Sequence, residues 1–536
     1  MKLSDRKIYI FLAVFCFLLY GKTLSYDLSW LDDYFLLITA RPFLSVFKNL
    51  PALFLTDAFI TNPIGLYRPL LNVTFMQDTF MNGIAGGWFF THFNNIMFHA
   101  AAACLFYRFL KIFSIRKNAA ALLSLVFAAH PAASVAVGWI PGRNDTLLAL
   151  FAFPAFIFAD KYRLSGRVKY AALYGLMLLF AVFTKESAVF LPVLAFFWLF
   201  LCHFEEICAK KAYFKEKFNV LALFSVIPLL AWAGIRSLAY VGSTHIGIAA
   251  TLRNAAYIPS IMGRALFPAW PVLMSPYDML PHQAFSAAIG TVFLLSMAVF
   301  LAKMAKKSNI FAGNGKIMPE KCGNNADSDG KNAYSCKMEK KSECCSFQAA
   351  AFGLAWFFLL FIPTLAAGDG IGSGSHYFDH RLYVPLAGLI LAVHSALSGL
   401  AEKNKFFSAS LASVFILFLS AVSYCHLEHY QNRYVFWRQA VHDSPADFSN
   451  FVRAGQFEQQ RGLDGQAAYY YVRAIELNPS QPMLHASLAG IYSRRGDYAA
   501  AEAEMQAELR INPHCQKCRD WLDELRQTKL AVSNEK

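Results

Sequence analysis

Apolar residues gather along the chain in repeated blocks near the length of about 20 that a helix needs to cross a bilayer, with short polar clusters between them. Eleven blocks are read, at 8–20, 89–110, 119–140, 146–159, 170–184, 187–203, 219–235, 284–301, 347–365, 382–400 and 406–424. The expected fold class is all-α: a polytopic membrane helix bundle of about 11 spans over 1–424, followed by a helical tail over 425–536. Residues 25–88 are amphipathic and broken by Pro42, Pro51, Asn62-Pro63 and Asn82-Gly83, which predicts short pieces at the interface in a first outer loop. Residues 303–346 turn to Asn, Ser, Asp, Lys and Gly and predict a mobile cytoplasmic loop with no core of its own.

The tail follows a different rule. Segments 447–480 and 481–514 superpose at a 34-residue period, with Ala474-Ile475-Glu476-Leu477-Asn478-Pro479 recurring as Glu508-Leu509-Arg510-Ile511-Asn512-Pro513. Gly462 and Gly496 sit at equivalent turns. This period matches paired, stacking helices of the tetratricopeptide (TPR) type, with a capping helix near 517–530.

Composition fits the block pattern. Hydrophobic residues make up 57% and charged ones 16%, against about 25% charged in soluble proteins. The net charge of +14 comes largely from clusters between blocks, as the positive-inside rule requires of cytoplasmic loops, which argues against a nucleic-acid partner and for membrane lipids. Lys2, Arg6 and Lys7 place the N-terminus in the cytoplasm ahead of an uncleaved anchor, so Asp32-Asp33 and, after eleven spans, the repeats fall outside. The eleven cysteines show no framework spacing, although Cys515 and Cys518 could form a local disulfide.

Ionisable groups beside a membrane are expensive and mark candidate sites. The outer ones are single, of mixed sign and close to block ends: Asp32-Asp33; Tyr67-Arg68-Pro69; His92, Asn95 and His99; Gly142-Arg143-Asn144-Asp145; Lys185-Glu186; and His376 to Arg381. Each also has a structural reading. The acidic pair could complement a helix dipole, Lys185-Glu186 could be a paired hairpin tip, His92 and His99 could pack helices, and Arg381 could mark a span end. The spacing of His376, Asp379 and His380 does not support a divalent metal, and neither does that of Cys322, Cys336, Cys344 and Cys345.

Taken in order, these motifs resemble one group. Leu31-Asp32-Asp33, Tyr67-Arg68-Pro69-Leu70, His92 to His99, Phe127-Ala128-Ala129-His130-Pro131, Gly142-Arg143-Asn144-Asp145, Thr184-Lys185-Glu186, Pro276-Tyr277-Asp278 and Arg381 to Gly388, ahead of the repeats, are similar to the transmembrane-and-TPR O-mannosyltransferases, within the integral-membrane glycosyltransferases of the C-type fold. The sequence departs from that pattern after His130-Pro131, where Ala132-Ala133-Ser134-Val135 replaces a further His and Glu, and at His380.

The resemblance implies transfer of a sugar from a polyprenyl- or dolichyl-phosphate carrier to a hydroxyl of a protein or glycan acceptor, on a periplasmic or luminal face. Asp32 or Asp33 would be the base. Arg68, Arg143, Lys185 and Arg381 would serve the lipid phosphate, with His92, His99, Asp145, Glu186 and His380 completing the site. The donor lipid is the one small-molecule partner implied, and the repeats would recruit the acceptor. A transporter or flippase of lipid-linked sugar, or a membrane-anchored repeat scaffold, would be the alternatives. Inversion at the sugar is expected, because a single acidic pair is found with no second one opposed to it.

Overall fold

The computed structural model describes residues 4–208, 212–242, 248–276, 280, 282–307, 331–365 and 376–534. It is almost wholly helical; among the described residues the only paired strands are Ser275–Pro276 and His376–Tyr377, antiparallel and two residues each. The chain forms two compact units. One holds most of residues 1–431; the other is 432–536 together with the two short strands.

Among the described residues of the first unit, eight helices are long and apolar enough to cross a bilayer: Asp5–Ser25, Phe89–Phe113, Glu186–His203, Lys215–Leu238, Gln283–Lys306, Ser346–Leu365, Asp379–Gly399 and Phe407–Tyr430. These fit a multi-pass membrane protein. The other three expected spans take different forms. Block 119–140 is two helices, Lys117–Ala129 and Pro131–Gly138, bent by 55°. Pro131 has no N–H to continue the first helix and disfavours helical backbone at His130, whose Nδ1 instead accepts from Ala132 N at 3.1 Å and caps the second. In Arg143–Ser165 the charges at both ends leave an uncharged middle shorter than a bilayer is thick. Val168–Thr184 is a shorter apolar helix. The polar segment 303–346 is helical where described, up to Lys307 and again from Lys331, and 308–330 lies outside the described residues.

Aromatic packing fills the bundle. Phe106, Phe109, Phe127, Phe153, Phe156, Phe352 and Trp356 touch in a chain of ring contacts, including Phe156–Phe352 at 4.6 Å and Phe106–Phe127 at 4.8 Å. Trp356 resolves its one polar atom by donating Nε1 to Val384 O at 2.9 Å. At the lysine-rich end, Asp5 joins three helices by accepting from Tyr107 Oη at 2.9 Å and pairing with Lys117 at 2.7 Å.

The loop over 25–88 carries its own small core. Leu28, Leu36, Leu37, Leu44, Leu53, Phe59, Leu71, Phe75 and Met76 are buried together with Ile140 and Leu147. Its pieces are a π-helical turn at Tyr34–Thr39, short turns at Arg41–Leu44 and Pro51–Leu55, and a full helix at Pro69–Ala85. Asp57 pins the loop, accepting from Phe59 N at 2.9 Å and Gly65 N at 2.7 Å.

In the second unit, Phe448–Gln460 pairs with Asp464–Leu477, and Leu484–Arg494 with Tyr498–Ile511; Gln516–Asn534 follows. Gly462 (φ 73°) and Gly496 (φ 79°) make the left-handed turn inside each pair, where a side chain would be strained. Glu508 is fully buried and accepts from Met483 N at 2.8 Å at the start of the Leu484–Arg494 helix. Cys515 and Cys518 are joined by a disulfide at the head of the last helix.

Candidate functional site

Asp33 is buried and turned back into its own loop. Its Oδ2 accepts from Ser29 N at 2.7 Å and Ser29 Oγ at 3.0 Å, which folds Ser29–Tyr34 into a closed turn. Asp32 is only partly buried. Burial pushes both carboxyls up to about 6; Asp33 adds to the effect at Asp32, while Arg68 and Arg381 oppose it there, and Ser29 opposes it at Asp33. The neighbours of the two residues thus give them different parts: Asp33 holds the turn, and Asp32 faces cations.

Those cations come from distant stretches of chain. Arg68, just before the Pro69–Ala85 helix, donates Nε to Glu186 Oε2 at 3.1 Å, and Glu186 also accepts from Tyr67 N at 3.0 Å. Lys185, in the extended link between Val168–Thr184 and the next helix, donates to Asp145 Oδ1 at 2.7 Å. Burial lowers the Lys185 ammonium's hold on its proton and Asp145 raises it. Arg381 lies in the Asp379–Leu382 turn, over the Phe378 ring at 5.1 Å, with Nη1 3.4 Å from Thr364 O. Arg68 and Arg381 both act electrostatically on Asp32, Asp145 and Lys185, and His380 is within reach of all three cations. Asp32, Arg68, Asp145, Lys185, Glu186, His380 and Arg381 are therefore one cluster, and Asp33 is attached to it through its neighbour.

Three candidates lie elsewhere. Arg143 is fully buried: it pairs with Asp78 at 2.6 Å and donates to Asn95 Oδ1 at 2.6 Å, Thr74 Oγ1 at 3.2 Å and Thr91 O at 2.7 Å. With Nε, Nη1 and Nη2 all engaged, it knits the loop over 25–88 to the bundle and keeps little for a phosphate. His99 ties helices, its Nδ1 2.7 Å from Tyr383 Oη and its Nε2 3.2 Å from Ala128 O. His92 is buried edge-on to Tyr26, with the ring centroids 6.2 Å apart.

Sequence reasoning passed over Asp78, the partner that claims Arg143, and Trp139, which stacks on Phe378 at 5.9 Å and meets His380 at 5.1 Å. A lone acid inside a helix paired with a downstream Arg was the signal for the first; an aromatic in an apolar run gives none for the second. Among the described residues no three His, Cys, Asp or Glu gather as metal ligands. The side chains of His376, Cys336, Cys344 and Cys345, and residues Tyr277, Asp278 and Cys322, lie outside the described residues.

Fold and site together define a multi-pass, all-helical membrane protein with carboxylates and cations gathered from five separate stretches at one end of its bundle. In comparison with known proteins, 91 residues are 32% identical to human protein O-mannosyl-transferase TMTC3, covering 17% of this chain and 10% of that protein. The similarity is distant and spans a tenth of the relative's length. No protein-family model matches the chain.

Proposed function

We propose that this protein is a membrane glycosyltransferase that moves a sugar from a polyprenyl- or dolichyl-phosphate carrier to a hydroxyl of a protein or glycan acceptor. The observation that carries the reading is Asp32: a partly exposed carboxylate titrating near 6, facing Arg68 and Arg381. A base poised close to working pH takes a hydroxyl proton most effectively. In the proposed step the acceptor oxygen bonds to the anomeric carbon as Asp32 takes its proton. The bond from that carbon to the phosphate oxygen breaks, and the phosphate keeps the electron pair. Arg68, Lys185 and Arg381 stabilise that charge; Arg68 and Lys185 each have N–H groups beyond the carboxylate they already hold, so the ion pair fixes each in place without using it up.

Displacement opposite one base inverts the anomeric centre. The repeating helix pairs, read as TPR units, would present the acceptor, and the Cys515–Cys518 disulfide favours an oxidising, outer compartment for them. The distant similarity to a protein O-mannosyl-transferase supports a transferase of this kind and leaves the sugar open.

The test is reconstituted full-length protein given polyprenyl-phosphate hexoses and a periplasmic or luminal extract. Transfer is expected from the wild type, lost by about 10²–10⁴-fold in Asp32→Asn, with product of inverted configuration. Undiminished transfer in Asp32→Asn removes the proposed base, and retained configuration removes direct displacement.

A further inference from the structure

Four polar side-chain atoms at the cationic end have no hydrogen-bond partner among the described residues: Trp139 Nε1, Asn144 Oδ1, Asp145 Oδ2 and His380 Nδ1. Their residues are 5%, 5%, 2% and 6% exposed, so bulk water does not serve them. Native proteins leave few buried polar atoms unanswered, and a group of them asks for a ligand or ordered water. Trp139, Asp145 and His380 are tied to one neighbourhood, and Asn144 adjoins it in sequence. The Trp139 and His380 rings are 5.1 Å apart, Asp145 holds Lys185 at 2.7 Å, and Lys185 acts on His380. Asn144 precedes Asp145 on the same helix turn and spends its amide nitrogen on Pro141 O at 2.9 Å, which fixes Oδ1 as the end left over.

Their chemistry is mixed, and that selects the ligand. Trp139 Nε1 can only donate. Asn144 Oδ1 and an ionised Asp145 can only accept, and His380 Nδ1 can do either. A phosphate would satisfy Trp139 but repel Asp145. A cation would suit the acceptors and leave Trp139 unmet, and a hydrocarbon chain would answer none of them. Neighbouring hydroxyls on one ring donate and accept at once, and so match all four in kind. We infer that Trp139, Asn144, Asp145 and His380 form a subsite for the hydroxyls of a neutral pyranose, beside the cations that hold its phosphate. This rests on the donor reading above and names the residues that choose the sugar. Asp145 would also turn away sugars carrying a carboxylate.

Trp139→Phe removes the N–H while keeping an aromatic ring beside Phe378, and binding of the bare lipid phosphate controls for the smaller ring. Asn144→Ala is the second variant, should the first not fold. Full-length protein in nanodiscs is titrated with polyprenyl phosphate alone, and with polyprenyl-phosphate glucose, mannose and galactose. Either variant is expected to bind the bare lipid phosphate within about twofold of wild type. It should bind the preferred hexosyl lipid about tenfold more weakly, a lost hydrogen bond's worth, with the preference among epimers flattened. Equal weakening toward both kinds of lipid, or unchanged binding of the hexosyl lipids, overturns the subsite and assigns the four atoms to packing or ordered water. If the wild type binds neither lipid, the donor reading falls and takes the subsite with it. If it binds both and the variants match it, the subsite alone falls.

Discussion

Arg68 and Glu186 meet through Nε and Nη2 at 3.1 Å, although 118 residues separate them, and the pair fastens the loop over 25–88 to the link that carries Lys185. Arg68 thereby reaches Asp32 from a fixed direction. Glu186→Gln keeps the shape and removes the charge. It is expected to lower stability by about 1–2 kcal/mol, the loss of one charge-assisted contact in a half-buried setting. Transfer should fall by more than that loss explains, because Arg68 is no longer held. A thermal unfolding curve beside initial rates separates the two effects; a variant equal to wild type in both shows that the pair positions nothing.

The acidic pair makes activity and stability move in opposite directions with pH. Both carboxyls are raised from 3.8 to about 6, so the folded state favours their protonated forms. The stability they contribute is fully present below about 3.8 and is lost as pH rises through about 6. A base must be ionised, so kcat/KM should climb through an apparent pKa near 6 over the same window. Asp33→Asn should flatten the fall in melting temperature between about pH 4 and 6 while keeping the rate limb. Asp32→Asn should abolish the limb along with the rate. A rate profile without an acidic limb in the wild type would sink Asp32 as the base.

The parts of this molecule that could be read from its sequence are those where one residue type carries the information by itself. Long apolar runs announce spans, and among the described residues eight appear as helices of sufficient length. The carboxylates and cations at block ends announce a polar face, and Asp32, Arg68, Lys185 and Arg381 do come within reach of one another. What could not be read is how partners are shared out. Arg143 sits beside Asp145 in sequence, yet pairs with Asp78, while Asp145 takes Lys185. Helix geometry turns neighbouring residues toward different sides, and only the packed structure decides which carboxylate each cation meets. The break at His130-Pro131 was legible in the proline, but a long apolar run concealed it.

Asp78 and Arg143, both wholly buried and 2.6 Å apart, depend on each other. Replacing Asp78 with Leu leaves an uncompensated charge in an apolar setting, beside the Phe75 and Phe98 rings at 4.9 and 5.6 Å. The expected loss is about 3–5 kcal/mol. The double replacement Asp78→Leu with Arg143→Met removes both charges and should recover at least half of that loss. Denaturant or thermal unfolding of the full chain measures the cycle. Additive losses in the double variant would mean that the two side chains are held independently.

Two glycines on one helix should respond oppositely to the same change. Gly388, in Tyr383–Lys403, lies against Gly353 of the neighbouring helix; an added Cβ would meet the Gly353 carbonyl and come within 2.8 Å of Trp356 Cβ. The close crossing also lets Trp356 reach Val384 O at 2.9 Å, three residues after Arg381. Gly399 has nothing within 4 Å of its added Cβ. Gly399→Ala should therefore stabilise by about 0.5–1 kcal/mol through helix propensity alone. Gly388→Ala should destabilise by about 1–3 kcal/mol by forcing the helices apart, and because Arg381 stands at the head of the same helix, transfer should fall with it. Melting temperatures of the two variants decide the matter by sign. If both rise, the crossing tolerates a methyl group, and the position of Arg381 does not depend on it.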